Sequence, residues 1–237
     1  MKTHVYLIPL SLLIGFSARA QVKKGDILLG GNIGFSSYNY NPGNPNNGPQ
    51  ENQTGVNVTP SVAWAIKDNL LEGFDLLYAG SNSTEKASSP TTYESSLDEH
   101  TYGAGFFLRK YKYLGAGFSV FAQGRLGGNY SNTKNTNYDG DGTQDNEKSY
   151  GISLGFYPGL AYAVSSRIQV EMGFQNLVAA TYSNTKEDVL NPAGSVATTN
   201  KINSFSINTG LGGSLQSFAL GIRVLLDHGH SGPGSHS

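Results

Sequence analysis

Large apolar residues recur at every second position through most of the chain, and no stretch sustains a period of 3.6 residues. In residues 150–164, one face carries Ile152, Leu154 and Phe156, whereas the other carries mostly glycine, serine and alanine. Successive side chains of a strand point to opposite faces, so this pattern predicts β-strands and not helices. Bulky apolar residues opposite small or polar ones are typical of strands that separate lipid from the lumen of a barrel.

Eight segments of the chain carry this alternation, and we interpret them as eight strands. They are residues 26–37, 55–68, 70–81, 100–113, 116–130, 150–164, 167–182 and 203–226. The last segment is long, and its phase slips around residues 210–216, where we expect a β-bulge or an extended hairpin arm.

The connections between these segments alternate in length. Four are long and rich in Asn, Ser, Thr and Gly: residues 41–54, 82–98, 131–148 and 183–201. The three between them are short turns near residues 67–69, 112–115 and 165–166. Long loops on one side and tight turns on the other are typical of membrane barrels. The predicted fold class is therefore all-β, an eight-stranded antiparallel up-and-down transmembrane β-barrel.

Tyrosine and tryptophan lie near both ends of these strands, where a membrane barrel has its interfacial girdles. Those towards the long connections are Tyr38, Tyr102, Tyr130, Tyr150 and Tyr182, and those towards the turns are Trp64, Tyr111, Tyr113 and Tyr162. The alternative is a soluble barrel of the lipocalin type, with the bulky face inward and Lys and Glu outside. Charged residues make up only 14% of the chain and are sparse in the strands, which favours the membrane barrel.

The first residues are typical of a secretory signal peptide. Lys2 precedes an apolar segment at residues 5–16, and residues 18–20 form a small-x-small cleavage site before Gln21. We therefore predict a signal peptide at 1–20, an outer membrane β-barrel at 21–226 and a polar His/Gly/Ser tail at 227–237. The chain has no cysteine, so it forms no disulfide, and its net charge of −1 argues against nucleic acid as a partner.

Three stretches resemble the small OmpX/OmpA-like outer membrane β-barrel proteins that are abundant in Bacteroidetes. They are KKGDILLGGNIGFSS at the start, the hairpin GFFLRKYKYLGAGFSVFAQGRLGGNY and the closing SFALGIRVLL. The resemblance covers residues 22–226 and implies a cell outer membrane location and a monomer. It also implies outer membrane lipid and the barrel insertion machinery as partners. One departure is that the last strand ends on Leu225 and Leu226 rather than on an aromatic residue.

The third long connection contains a candidate calcium loop, NYDGDGTQDNE. Oxygen-bearing side chains at Asn137, Asp139, Asp141 and Asp145, with a glycine at Gly142, match the spacing of short calcium loops. The twelfth position, where an EF-hand has a bidentate Glu, is a lysine, so a full EF-hand is not expected. The alternative is a solvated turn, since Asn, Asp and Gly are common in turns. No other cofactor is expected.

Five charged residues fall on the small, inward-facing side of the strands: Asp75, Arg109, Arg125, Glu171 and Arg223. The interior of an eight-stranded barrel is just wide enough to be filled by side chains, and charges there must be paired. We predict two ion pairs, Asp75 with Arg109 and Glu171 with Arg223. Arg125 is expected above them, near Tyr157 or Gln123. A proton or ion path through these groups is the functional alternative.

These features predict a non-enzymatic outer membrane protein with a side-chain-filled lumen. Its role would be structural, adhesive or ligand-recognising, through long extracellular loops. One alternative is a narrow pore or transporter for small solutes, which would need a continuous water path. Another is a rim enzyme acting on lipid, for which His100, beside Asp98 and Glu99, is the candidate residue.

Overall fold

Ten antiparallel strands and no helix make up the part of the chain that the computed structural model describes. The described residues are 21–43, 48–87, 93–137, 144–174, 177–191, 195–209 and 218–226. The predicted signal peptide and the C-terminal tail lie outside them. The antiparallel all-β prediction is confirmed.

The strands follow one another along the chain with short connections. They are β1 (Ile27–Tyr40), β2 (Gln50–Lys67), β3 (Leu70–Ala87), β4 (Tyr93–Gly115), β5 (Phe118–Asn137), β6 (Gln144–Ala163), β7 (Ile168–Phe174), β8 (Val178–Leu190), β9 (Val196–Thr209) and β10 (Phe218–Leu226).

Each strand from β1 to β6 pairs with the next strand along the chain. The lower part of β6 then pairs with β7, β7 with β10, and β10 with β1, so the pairing returns to the first strand. The upper part of β6 pairs instead with β8, which in turn pairs with β9. Among the described residues, β9 is hydrogen-bonded only to β8.

The described residues form ten strands rather than eight because two of the predicted segments are interrupted. The segment 167–182 contains β7 and the start of β8, and these two strands pair with different parts of β6. Gly173 of β7 lies opposite Gly159 of β6, whereas Val178 of β8 lies opposite Phe156 of β6. Pro158 lies between these two contacts and has no N–H for the ladder. The segment 203–226 is divided likewise between β9 and β10, and the predicted phase slip lies outside the described residues.

The predicted long loops are largely strand in the described residues. For example, β3 continues to Ala87 and β6 begins at Gln144. Polar side chains hydrogen-bond across these extensions, and the pairs are Thr101 with Ser131 (2.9 Å), Ser149 with Thr185 (2.9 Å), Ser183 with Ser204 (2.7 Å) and Asn184 with Asn203 (2.6 Å). Because such pairs stabilise antiparallel strands, polar composition alone does not mark these residues as loops.

The turns at the opposite end are short, as predicted. Asn69, between β2 and β3, has φ of 59°, a left-handed conformation that asparagine tolerates. Gly115, the last residue of β4, and Gly117, just before β5, have φ of 108° and 82°, which glycine adopts without steric cost.

Large apolar side chains cover the outer face of the strands. Examples are Phe35, which is 77% exposed, and Leu76, Leu154 and Ile222, each about 60% exposed. Four tyrosines (Tyr78, Tyr102, Tyr130 and Tyr150) lie directly opposite one another across β3 to β6. Near the turns, the outer face carries Trp64 and the pair Phe118 and Tyr162, whose ring centroids are 4.7 Å apart with the rings tilted by 43°. The described residues include no helix long and apolar enough to cross a membrane.

The inner face forms the core near the turns. Its buried apolar cluster comprises Val22, Leu28, Ala63, Ala65, Leu71, Phe107, Tyr111, Phe121, Ala161 and Leu225. Val22 belongs to the segment before β1, and its carbonyl accepts a hydrogen bond from Asn69 N at 2.9 Å. This N-terminal segment therefore packs against the turn end of the strands.

Candidate functional site

The five inward-facing charges lie on five different strands. Asp75 is on β3, Arg109 on β4, Arg125 on β5, Glu171 on β7 and Arg223 on β10. All except Arg125, which is partly exposed, are at least 95% buried. Isolated charges at such positions would cost several kcal/mol each, so their partners decide whether the arrangement is stable.

Glu171 is the acceptor at the centre of a buried cluster. Arg109 Nη1 lies 2.8 Å from both of its carboxylate oxygens, and Arg223 Nε lies 3.0 Å from Oε2. The Tyr111 hydroxyl donates to Oε1 at 2.5 Å, and Arg109 Nε donates to Gln123 at 2.8 Å. We call these five residues the Glu171 cluster.

Further contacts connect the Glu171 cluster to side chains on β1, β2 and β5. Arg223 donates from Nη2 to Asn32 on β1 at 3.2 Å and from Nη1 to Ser61 on β2. The guanidinium of Arg109 lies over the ring of Phe121, 4.4 Å from its centroid, which is a favourable cation–π distance. Side chains from β1, β2, β4, β5, β7 and β10 are thus joined across the lumen.

Asp75 and Arg125 form a second, bidentate ion pair. Nη2 of Arg125 lies 2.6 Å from Oδ1, and Nε lies 2.8 Å from Oδ2. Gly105 provides the space for the guanidinium, because a Cβ at Gly105 would lie 2.5 Å from Arg125 Cζ. A Cβ at Gly127 would also collide with the guanidinium. Two glycines on the inner face therefore allow this pair to form.

The predicted pair of Asp75 with Arg109 is wrong. Asp75 lies opposite Gly105, whereas Arg109 lies opposite Leu71, about four residues nearer the turns, or roughly 13 Å along the strand. Arg125 interacts with Tyr157, as predicted, but it also reaches Asp75 across Gly105 and takes the place expected for Arg109. The other predicted pair, Glu171 with Arg223, is present, and Arg109 joins it.

Tyr111 has a different place from the one expected from the sequence. We predicted it at the membrane interface, but it is 4% exposed and belongs to the Glu171 cluster. Its position two residues after Arg109 is the signal that could have shown this, because residues two apart on a strand share a face.

The open space in the described lumen lies on the side of the Glu171 cluster away from the turns. A cavity of about 180 Å³ is lined by Asp75, Arg125, Tyr157, Glu171, Arg223 and Phe107, among others. A second cavity, of about 160 Å³, is lined by Asn57, Ser81, Glu99 and Thr101. On the turn side, the apolar cluster around Leu71 fills the interior. Among the described residues, side chains therefore fill the interior near the turns, and the open space lies on the other side of the Glu171 cluster.

The inner face of the strand extensions is acidic. Glu147 on β6 lies opposite Glu187 on β8 and, on its other side, opposite Thr133 on β5. Thr133 in turn lies opposite Glu99 on β4, so the three glutamates lie in one row across the strands. Burial, and next the charges of Glu187 and Glu99, raise the pKa of Glu147 above its usual value. Glu99 accepts hydrogen bonds from Ser131 at 2.9 Å and from Thr101 at 3.3 Å. This surface attracts cations electrostatically.

The candidate calcium loop is only partly described. Asn137 ends β5, and Asp145 lies near the start of β6, opposite Asn135. Asp139 and Asp141 lie outside the described residues. Burial, and next the charge of Glu187, raise the pKa of Asp145. Within the described ranges, no group of three or more His, Asp or Glu side chains is arranged to hold a metal ion.

His100 lies on the outer face of β4, beside the row of tyrosines. Its Nδ1 is 3.3 Å from the Tyr78 hydroxyl, and its Nε2 is 3.5 Å from Asp98. Both ring nitrogens therefore face neighbouring side chains on the strand surface.

No protein-family model and no curated protein matches the chain. Among solved structures, the chain is similar to the outer membrane protein OprG from Pseudomonas aeruginosa, with 17% identity, a TM-score of 0.43 and coverage of 87% of this chain and 98% of that one. A major outer membrane protein from Thermus thermophilus has 12% identity, a TM-score of 0.39 and coverage of 85% and 99%. Neisserial surface protein A has 16% identity, a TM-score of 0.32 and coverage of 84% and 94%.

Proposed function

We propose that the chain is an integral outer membrane β-barrel whose lumen is closed by side chains and which recognises ligands at the cell surface. The barrel has eight strands, counting β7 with β8 and β9 with β10 as one interrupted strand each. It is not an enzyme and does not conduct solutes.

The outer surface supports the membrane assignment. Soluble proteins rarely expose a continuous apolar band, whereas barrel strands present one to lipid between two aromatic girdles. On β6 this band runs from Tyr150 through Ile152, Leu154 and Phe156 to Tyr162. At about 3.4 Å per residue and a tilt of about 40°, the two tyrosines are roughly 30 Å apart along the barrel axis, close to the thickness of a bilayer.

The Glu171 cluster is the observation that carries the proposal of a closed lumen. Arg109 on β4 and Arg223 on β10 meet at Glu171 on β7, so the three side chains bridge the interior. Below them, Leu28, Leu71 and Phe121 are buried and form an apolar layer towards the turns. An ion would have to displace both layers to cross.

The side away from the turns supports a role in recognition. There the strands extend beyond the tyrosine row, and small residues such as Gly55 and Ser81 leave space on the inner face. The cavity above Glu171 is lined by both charged and aromatic side chains, the mixture that ligand sites commonly present. The ligand would enter from outside the cell, because the other end is filled.

A narrow pore for small solutes is the second candidate, and the cavity of about 180 Å³ favours it. For this function, the Glu171 cluster would have to open a continuous water path. Conductance across planar bilayers decides between the two candidates, because only a pore gives steady single-channel steps.

The membrane assignment is tested by placing arginine at two depths on one strand. Leu126 and Asn132 both lie on the outer face of β5, below and above Tyr130 respectively. Arginine in the middle of the bilayer costs about 2–4 kcal/mol, but only about 0–1 kcal/mol near its surface. We expect Leu126→Arg to reduce the urea-resistant outer membrane fraction strongly and Asn132→Arg to leave it nearly unchanged. A wild-type protein that remains soluble without detergent would refute the assignment.

A further inference from the structure

Three lysines lie side by side on the outer face of the strand extensions. Lys148 on β6 is directly opposite Lys186 on β8, and Lys186 is directly opposite Lys201 on β9. All three side chains are exposed. We call these residues the lysine row.

The chain compensates this charge only in part. Lys186 Nζ donates to Asp188 Oδ2 at 2.8 Å, and the other oxygen of Asp188 accepts from Thr199 at 2.6 Å. Within the described parts of β6, β8 and β9, Asp188 is thus the one carboxylate on the same face as the three ammonium groups. Like charges directly opposite each other destabilise a pair of strands, so two successive lysine pairs are an unfavourable choice unless an anion binds there.

The lysine row lies just above the aromatic girdle. Lys148 is two residues from Tyr150, which is about 7 Å along the strand. Lys186 and Lys201 are each four residues from the aromatic pair Tyr182 and Phe205, which lie opposite each other. In a membrane with the tyrosines at its interface, the ammonium groups reach the level of the lipid headgroups.

Protection of an exposed strand edge is the alternative reason for such lysines. It fits Lys201, because β9 is hydrogen-bonded on one side only among the described residues. It does not fit Lys148 or Lys186, because β6 and β8 have partners on both sides. Two of the three lysines therefore need another explanation.

We propose that the lysine row binds the phosphate groups of a phosphorylated glycolipid in the outer leaflet. Adjacent strands are about 4.8 Å apart, so one phosphate can accept hydrogen bonds from two neighbouring lysines, and the row spans roughly 10 Å. Charge-assisted hydrogen bonds of this kind are among the strongest in proteins, and basic clusters next to a membrane attract anionic headgroups. This inference rests on the proposed membrane function, because only an inserted barrel places the row at the headgroups.

The experiment uses the full mature chain, folded and inserted into phosphatidylcholine vesicles. The vesicles contain either no added lipid, lipid A, or dephosphorylated lipid A, and bound glycolipid is measured after re-extraction. We compare wild type with Lys148→Gln/Lys186→Gln/Lys201→Gln. The matched control is Lys67→Gln/Lys110→Gln/Lys112→Gln, which removes the same charge near the turns.

We expect wild type and the control to bind lipid A and to prefer it to the dephosphorylated form. Removal of the lysine row should weaken this binding roughly a hundredfold, since each of the three lysines near a membrane surface contributes about fivefold. Equal binding by the two triple variants, or no preference for phosphate, would overturn the inference. Failure of wild type to insert into phosphatidylcholine would instead refute the membrane function itself, so the two failures are distinguishable.

Discussion

Arg109 and Glu171 are 62 residues apart in sequence, yet Nη1 of Arg109 lies 2.8 Å from both carboxylate oxygens of Glu171. This contact joins β4 to β7 across the interior, and neither strand is hydrogen-bonded to the other. Side chains therefore connect the strands across the interior, in addition to the backbone hydrogen bonds between neighbouring strands.

Removal of the Glu171 carboxylate should destabilise the protein severely. Glu171→Ala leaves Arg109 and Arg223 buried without their common acceptor, and breaking a buried pair in this way costs about 3–5 kcal/mol. Glu94→Ala is the matched control, because the ion pair of Glu94 with Lys86 is about half exposed and should contribute at most about 1 kcal/mol. The free energy of unfolding in urea, measured in detergent micelles, separates the two. Equal losses would show that the Glu171 cluster is not a stabilising centre.

The ion pair of Asp75 with Arg125 should depend on the absence of a side chain at Gly105. A methyl group there would lie 2.5 Å from Arg125 Cζ, so Gly105→Ala must push the guanidinium away from Asp75. We expect a loss of about 1–3 kcal/mol, the usual cost of overpacking. A Cβ at Gly124, on the same hairpin, would meet nothing within 4 Å, so Gly124→Ala should have little effect. If Gly105→Ala unfolded at the same urea concentration as Gly124→Ala, the ion pair would contribute nothing to stability.

The strand extensions should become more stable as the pH falls. Burial and the charge of Glu187 raise the pKa values of Asp145 and Glu147 above their ordinary values of 3.8 and 4.5. A raised carboxyl pKa favours the protonated folded form, so this stabilisation is complete below the ordinary pKa and is lost as the pH rises through the raised one. Hydrogen exchange of the 145–148 amides, corrected for intrinsic rates, should therefore be slower near pH 4.5 than near pH 7.

Glu187→Gln is the variant that checks this pH dependence. It removes the Glu187 charge, the second cause after burial of both raised pKa values, and should therefore make the profile flatter than that of wild type. Asp188 acts in the opposite direction, because hydrogen bonds from Lys186 and Thr199 lower its pKa, and the variant leaves it in place. A wild-type profile that did not change with pH would contradict the assignment.

Calcium, if it binds the predicted loop, should stiffen residues 131–148. We expect millimolar calcium to slow proteolysis within this segment in wild type but not in Asp139→Asn/Asp141→Asn, since weak affinity is usual for extracellular calcium modules. Magnesium at the same concentration is the control for ionic strength. Equal proteolysis with and without calcium would show that the segment does not bind the ion.

The alternation of side chains predicted much of this structure, because it depends on local geometry alone. It assigned Asp75, Arg125 and Glu171 to the inner face and Leu154 to the outer one. It could not give the ion-pair partners, because these depend on the register between strands. Asp75 meets Arg125 rather than Arg109 because Gly105 and Gly127 leave room for a long side chain to reach across a strand.

The polar connections were the least predictable part. Residues 131–137 and 144–148 are predicted as loop because they are rich in Asn, Ser and Thr, yet they continue β5 and β6. Side-chain hydrogen bonds between neighbouring strands, such as that of Ser149 with Thr185, stabilise these extensions. Such pairs can be identified only when the register between the strands is known. The interruption of the last two predicted strands was signalled only by Pro158 and by the phase slip.

The most direct test of a closed barrel is electrical conductance across planar phosphatidylcholine bilayers. The mature chain is inserted, and folding is verified by its heat-dependent shift in electrophoretic mobility. We predict no steady single-channel steps for wild type in molar KCl, because the Glu171 cluster and the apolar layer around Leu71 fill the lumen. Steady, reproducible steps from the folded wild-type protein would contradict the account and favour the narrow pore.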